Sequence, residues 1–96
     1  MAALTDYINV YDTALAVLLD KGYQLWYDKA TYRYWAEKDG WDYVSRSPVA
    51  LLGLIAIYEF HQPTAWAEYW WRIPTDDLGR RLPSTPKPYV PIYRRK

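Results

Sequence analysis

Residues 34–44, with the sequence YWAEKDGWDYV, carry the strongest indication of the fold. Asp39 and Gly40 lie at the centre of this stretch, and both residue types tolerate the positive φ angles of a two-residue type I′ turn. Aromatic residues, which favour strands, recur at every second position before and after the turn. The pattern therefore predicts a β-hairpin over residues 31–45.

A helix over residues 29–39 is the alternative. In that helix Arg33 and Glu37 would pair four residues apart, and Gly40 would end the last turn. Strand propensity and turn chemistry favour the hairpin. Aromatic and apolar residues also alternate over residues 23–27, which predicts a further strand and hence a small antiparallel meander.

The segment before this meander, residues 5–21, is predicted to form an N-terminal helix. Its apolar side chains recur at intervals of three and four residues, as expected for one helix face. The members of this face are Leu4, Ile8, Tyr11, Leu15, Leu18 and Leu19. Thr5 is placed to cap the start of the helix, and Gly22 is placed to end it.

A second helix is predicted to begin at Ser47 and Pro48. Serine is a preferred N-cap, and proline fits the first helical position because its missing N–H is not needed there. Residues 49–58 are apolar on every face, which indicates a buried central helix. Gly53 in its middle suggests the close approach of another backbone, and Pro63 ends the segment.

The segment between two prolines, residues 64–73, is predicted to form a short Trp-rich helix. Trp66, Trp70 and Ile73 would share one stripe of this helix, whereas Trp71 lies away from the stripe.

Four prolines between residues 83 and 91 predict an extended or polyproline-II-like arm. The expected fold is therefore α+β. Residues 1–74 form one compact domain with an N-terminal helix, a small antiparallel hairpin or meander, a buried central helix and a short Trp-rich helix. Residues 75–96 form a Pro-rich basic C-terminal extension that packs on the domain.

Length and composition exclude several classes of protein. The chain has 96 residues, which corresponds to one domain, and it has no cysteine. Disulfide scaffolds, thiolate zinc sites and cysteine nucleophiles are therefore excluded. The N-terminus lacks a basic, apolar leader, and the longest apolar run, residues 49–58, is too short to cross a bilayer. We therefore expect a cytoplasmic protein that does not interact with membranes.

Charge is distributed unevenly along the chain, although the net charge is only +1. Residues 1–48 contain five basic and seven acidic side chains, whereas residues 78–96 contain six basic side chains and no acidic one. A basic terminus can bind phosphates, so a nucleic-acid partner is one possible interpretation.

Residues that could support catalysis are few and scattered. His61 is the single histidine, so a metal site would need carboxylates at every other position, and a helix-end role explains this residue better. No phosphate-binding glycine loop and no nucleophile elbow is present. Glu37, Asp39 and Asp42 lie among aromatic residues, as in sugar-binding or glycosidase sites, but turns attract aspartate for backbone reasons alone. We therefore expect no enzymatic activity, no cofactor and no metal.

The aromatic excess, six Trp and eleven Tyr, is the most informative feature for function. Exposed Trp, Tyr and Arg are enriched where binding energy concentrates in protein interfaces. The expected function is non-enzymatic protein binding. By resemblance of class rather than by a motif, its most specific form is a small inhibitor of the immunity-protein or antitoxin type, which occludes a partner protein. The alternatives are a nucleic-acid-binding accessory protein that uses the basic arm, or a small carbohydrate-binding module. The candidate partner-binding residues are Trp41, Asp42, Tyr43, Trp71, Arg80, Arg81, Tyr89 and Tyr93.

Overall fold

The chain has the α+β architecture that the sequence predicts, in a computed structural model that describes residues 4–75 and 77–85. Its helices and strands are α1 (Tyr11–Asp20), β1 (Gln24–Asp28), β2 (Arg33–Lys38), β3 (Trp41–Ser45) and α2 (Pro48–His61). Short 3-10 helices cover Ile8–Val10 and Leu78–Arg81. Residues 6–71 form one compact unit, and the other described residues belong to a second one.

The hairpin prediction is confirmed, because Asp39 and Gly40 have φ angles of 53° and 83° and join two antiparallel strands. The alternative helix over residues 29–39 is therefore wrong. The three strands form an antiparallel meander in the order β1-β2-β3, in which Ala36 of β2 lies between Leu25 of β1 and Tyr43 of β3. β3 is consequently an outer strand of the sheet.

The first helix is shorter at its start than the sequence indicates. Regular α-helix begins at Tyr11, after the 3-10 turn, and the extended residue before that turn is Tyr7 rather than Thr5. Its end is as predicted: Gly22 has a φ of 90° directly after the last helical turn. Lys38 of the hairpin donates a hydrogen bond of 2.6 Å from Nζ to the carbonyl oxygen of Lys21, which satisfies a free carbonyl at the helix end.

α2 begins as its sequence predicts. The Ser47 side chain accepts a hydrogen bond from the backbone N–H of Ala50 at 3.1 Å, and Pro48 occupies the first turn. Gln62 ends the helix in the left-handed conformation, with its N–H donating to the carbonyl of Tyr58. The Lys21 ammonium and the Glu59 carboxylate form an ion pair at 2.9 Å, which links the end of α1 to α2 and raises the pKa of Lys21.

The hydrophobic core lies between one face of the sheet and the two helices. Its fully or nearly fully buried members are Leu18, Tyr23, Ala36, Tyr43, Leu51 and Ile55. α2 was predicted to be buried on every side, and this is wrong: Leu51 and Ile55 are fully buried, whereas Leu54 and Ile57 are about 40 % exposed. A three-stranded sheet covers only one face of the helix. Gly53 is also exposed, and no described atom lies within 4 Å of the position of an added Cβ, so the predicted close backbone approach is not present.

The predicted Trp-rich helix over residues 64–73 is likewise wrong, since this segment consists of turns and bends. The left-handed Gln62 and the following Pro63 end α2, and Tyr69 has a φ of 57°, which α-helical backbone does not permit. The N–H of Trp70 donates to the carbonyl of Ala67, and this closes one turn.

Only some of the predicted C-terminal residues lie within the part of the chain that the structure describes. Tyr89 and Tyr93, and with them the expected packing of the arm on the domain, lie outside the described residues. Arg80 and Arg81 lie in the 3-10 helix near the C-terminus. Within residues 4–75 and 77–85, no helix is long and apolar enough to cross a membrane.

Candidate functional site

An apolar groove of about 540 Å³ runs beside β3 within the unit of residues 6–71. We call it the β3 groove. Three stretches of chain line it: the outer strand of the sheet, the exposed face of α2 and the turns that follow α2. The lining residues are Asp42, Tyr43, Val44, Leu54, Ile57, Trp66, Trp70 and Trp71.

The floor of the β3 groove is the part of α2 that the sheet leaves uncovered. Leu54 and Ile57 lie three residues apart and hence on one face of the helix. Both are partly exposed, at 38 % and 42 %, and Phe60 continues this face at 74 % exposure. Glu59 and His61 are the side chains of α2 that are charged or readily protonated near neutral pH, and the helix is otherwise mostly apolar, so little on this surface prefers water.

The wall of the groove is a cluster of indole rings around Trp41. The ring centroid of Trp41 lies 5.5 Å from that of Trp70, 6.4 Å from that of Trp66 and 5.2 Å from that of Tyr58. Such aromatic contacts, each worth about 0.5–1.5 kcal/mol beyond burial, hold an irregular segment against the hairpin. Trp66 nevertheless remains 74 % exposed.

His61 fastens the same segment to the end of α2. Its Nε2 atom lies 2.8 Å from the carbonyl oxygen of Trp71, and because a carbonyl can only accept, this nitrogen carries the proton. This hydrogen bond connects the non-helical segment to the end of α2. The single histidine of the chain therefore has a structural role in positioning one wall of the groove.

The outer edge of β3 offers backbone hydrogen-bonding groups to the groove. In a two-residue hairpin the closing residues, here Lys38 and Trp41, form a hydrogen-bonded pair, and the direction of the backbone groups then alternates along the strand. The N–H and C=O groups of Asp42 and Val44 therefore point away from β2. Among residues 4–75 and 77–85, none of the backbone hydrogen bonds outside the helices and strands involves Asp42 or Val44.

Carboxylates gather at the hairpin end of the groove. Glu37 and Asp42 lie directly opposite each other on neighbouring strands, and Asp39 lies in the turn beside them. Like charges at directly opposed positions destabilise a sheet, because their Cβ atoms are only about 5 Å apart. No ion pair of the described residues involves either carboxylate of this opposed pair.

A smaller cavity of about 420 Å³ adjoins the same end. Its lining includes Asp42 and Trp66, which also line the β3 groove, together with Gly40, Trp41, Thr64 and Ala65. The two cavities therefore form a continuous surface along the hairpin end of β3.

Tyr43 lies at the base of the groove with its ring in the core. Only 7 % of its surface is exposed, and its hydroxyl group has no hydrogen-bond partner among the residues that the structure describes. The rings of Tyr23 and Tyr58 each lie 5.9 Å away. Burial, with a further contribution from these neighbouring phenols, raises the pKa of Tyr43 well above its usual range.

A second aromatic surface lies on the face of the sheet that points away from the helices. Trp26 and Trp35 are cross-strand neighbours, and their rings stack with centroids 5.7 Å apart and planes 8° apart. Trp26 is 46 % exposed. Gln24 and Glu37 form the neighbouring cross-strand pair on the same face.

The structure brings four of the predicted partner-binding residues together. Asp42, Tyr43 and Trp71 line the β3 groove, and Trp41 supports it from behind. Tyr43 forms the buried bottom of the groove and is not an exposed contact residue. The predicted Arg80 and Arg81 belong to the second unit, outside residues 6–71.

Five groove residues were not predicted as partner-binding: Val44, Leu54, Ile57, Trp66 and Trp70. Val44 was assigned only to the hairpin, Leu54 and Ile57 to a buried helix, and the two tryptophans to the core stripe of a helix that does not form. One signal was available. A chain of 96 residues has too little other structure to cover a helix that is apolar on every side, so part of that helix must remain exposed.

The described residues contain no group of three or more His, Asp or Glu side chains placed to hold a metal ion. Comparison with known proteins adds no assignment, since no family model, curated protein or solved structure matches this chain.

Proposed function

We propose that this protein is a non-enzymatic protein-binding domain that uses the β3 groove as its interface. The observation that carries the proposal is the exposed apolar face of α2 lying beside partly exposed tryptophans. Contiguous apolar surface of this kind is unusual on a monomer and marks sites of association. Tryptophan is also among the residues that most often dominate binding energy.

In its most specific form the domain is a small inhibitor of the immunity-protein or antitoxin type, which acts by occluding its partner. The acidic hairpin end of the groove supports this form. Residues 6–71 contain nine acidic and five basic side chains, so this unit carries a net charge of −4. An acidic, aromatic surface is suited to cover a basic surface on a partner, with charge accelerating encounter and apolar contact slowing dissociation.

To identify the partner, a photo-crosslinking residue is placed at position 54 and the crosslinked protein is isolated from source cells. The identified partner is then purified for binding measurements. The double variant Leu54→Gln with Ile57→Gln removes the apolar floor without changing charge. We expect it to weaken the purified complex at least about tenfold. The matched control is Leu19→Gln, since Leu19 is an exposed leucine on α1. Unchanged affinity of the double variant would refute the groove as the interface.

A carbohydrate-binding module is the second candidate, and the Trp26–Trp35 pair favours it. The exposed ring of Trp26, stacked on the half-buried Trp35 and bordered by Gln24 and Glu37, combines an apolar surface with hydrogen-bonding groups, which is the combination that sugars require. Titration of tryptophan fluorescence with neutral oligosaccharides would detect such binding. Its loss in Trp26→Ala, with the groove double variant still binding, would support this candidate against the first.

A further inference from the structure

We propose that the β3 groove takes an extended peptide segment as a fourth strand along the outer edge of β3, with a lysine or arginine of that segment placed against Glu37 and Asp42. The inference rests on the proposed function, because it specifies the part of a protein partner that enters the groove. Three features of the groove carry it: its open strand edge, its apolar floor and its charge.

The open edge supplies the main-chain contacts. Asp42 and Val44 turn one N–H and one C=O each towards the groove, which is the pattern that an added strand pairs with. Protected edges carry a proline, a bulge or charged side chains, and β3 contains no proline and a single charged residue, Asp42. Among the described residues, no other strand pairs with this edge.

The apolar floor of the groove can contact every second side chain of an added strand. An added strand would lie about 4.8 Å beyond β3, where the groove contains Leu54, Ile57 and Trp70. Side chains at every second position of that strand would point down to this surface. The remaining positions would share the outer face with Val44, which is 38 % exposed. We therefore expect the partner segment to have apolar residues at the alternate positions that face the floor of the groove.

The charge at the hairpin end specifies one further residue. Glu37 and Asp42 repel each other across the ladder, and no described cation pairs with them. A lysine or arginine on the added strand next to Asp42 would reduce this repulsion. A second copy of this chain fits less well as the occupant, because pairing two β3 strands would bring two such carboxylate pairs into one interface.

The experiment uses the full chain and a capped seven-residue peptide in which valine alternates with threonine and one lysine replaces a threonine. Amide chemical shifts and hydrogen exchange are measured during titration to millimolar concentration. We expect saturable binding that slows exchange at the Asp42 and Val44 amides. A peptide of the same sequence with N-methylated alternate amides keeps every side chain but cannot pair with β3, and we expect it to bind at least about tenfold more weakly.

Two variants of the protein locate the contacts. Val44→Pro removes an outward-facing N–H without removing a hydrogen bond between β2 and β3, and we expect it to abolish protection at Asp42. Asp42→Asn should weaken binding of the lysine peptide but not of a peptide with threonine at that position. Thermal melting confirms that each variant is folded, and the N-methylated peptide tests the same point on the unaltered protein.

Each other result overturns the inference in a distinguishable way. Equal binding of the N-methylated peptide would refute strand addition and leave the groove as a side-chain interface. Protection of the same amides at high protein concentration without peptide would assign the edge to a second copy. Failure of all peptides to bind at millimolar concentration would refute the extended occupant, while the proposed function would still be decided by the Leu54 and Ile57 variant and its purified partner.

Discussion

Tyr43 places a hydroxyl group in the core beside that of Tyr23, and no described residue forms a hydrogen bond of good geometry with it. An unpaired buried polar group costs about 1–3 kcal/mol of stability. Burial of the ring compensates for this cost, because Tyr43 belongs to the same buried cluster as Leu18, Leu51 and Ile55. The same burial makes the phenol difficult to ionise, which couples stability to pH at the alkaline end.

We predict that the protein loses stability as pH rises above about 10, the unfolded-state pKa of tyrosine. The folded-state pKa values of Tyr43 and Tyr23 are both raised by burial, so the unfolded state loses these protons first. Stability is therefore fully present below pH ~10 and is lost as pH rises towards the folded-state values, by up to about 1.4 kcal/mol per pH unit for each group.

Urea denaturation of Tyr43→Phe between neutral pH and about pH 11 measures this effect. We expect the variant to be as stable as the unaltered protein, or slightly more stable, at neutral pH, and to lose stability less steeply above pH ~10. Tyr32→Phe, at a tyrosine that is 73 % exposed, serves as the control. An unchanged alkaline slope in Tyr43→Phe would contradict the assignment.

Among the elements, α2 differs most from its sequence-based prediction. Residues 49–58 indicate burial on every side, but burial also requires enough other structure to surround the helix. The three-stranded sheet and α1 bury Leu51 and Ile55 and leave Leu54 and Ile57 exposed. The hydrophobic pattern alone therefore cannot distinguish a fully buried helix from a helix with one exposed apolar face.

The hairpin, in contrast, is specified locally. Asp39 and Gly40 impose the turn, the turn fixes the register, and the register determines that Asp42 faces outward while Tyr43 faces the core. This chain of local constraints explains why the hairpin residues Trp41, Asp42 and Tyr43 could be assigned to this region from sequence, whereas Trp71 belongs to the segment after α2. The segment of residues 64–73 lacks such constraints: its conformation depends on distant contacts with Trp41 and His61, which no local pattern encodes.

Two glycines allow a direct test of how backbone conformation differs between these elements. No described atom lies within 4 Å of an added Cβ at Gly40 or at Gly53, so alanine meets no steric obstacle at either position. Gly40 has a φ of 83°, whereas Gly53 is helical. We predict that Gly40→Ala destabilises the protein by about 1 kcal/mol or more and that Gly53→Ala stabilises it by about 0.5–1 kcal/mol.

Chemical denaturation of both variants measures the two changes. The β-branched Gly40→Val should cost more than Gly40→Ala, because branching adds strain at positive φ. A Gly40→Ala variant as stable as the unaltered chain would contradict the turn geometry. Destabilisation by Gly53→Ala would instead indicate a close contact at the exposed face of α2.

At the scale of the whole molecule, charge separates two possible functional surfaces. Residues 6–71 carry a net charge of −4, whereas the chain as a whole carries +1, so residues outside this unit contribute +5. A nucleic-acid function would depend on the basic groups outside the unit, including Arg94, Arg95 and Lys96. A protein-binding function through the β3 groove would depend on apolar and aromatic groups within it.

These two functions predict different dependences of binding on salt concentration. Log affinity for duplex DNA falls linearly with log salt, at a slope near −0.9 per neutralised phosphate, because binding releases condensed counterions. An interface that buries leucine, isoleucine and tryptophan gains its stability from apolar burial, which does not release counterions, and its charges act mainly on the association rate. Dissociation should therefore be nearly independent of salt.

We predict that the purified protein complex retains its dissociation rate between about 50 and 200 mM salt, measured by surface plasmon resonance. Trp71→Ala, at the wall of the β3 groove, should weaken the complex by about 2 kcal/mol, or about thirtyfold. Replacing Arg94, Arg95 and Lys96 by glutamine should leave its dissociation rate unchanged, because charges act mainly on the association rate. Tight binding to duplex DNA that is lost in the glutamine variant, is steeply salt-dependent and is indifferent to Trp71→Ala would assign the function to the basic arm, because only phosphate neutralisation combines those three responses.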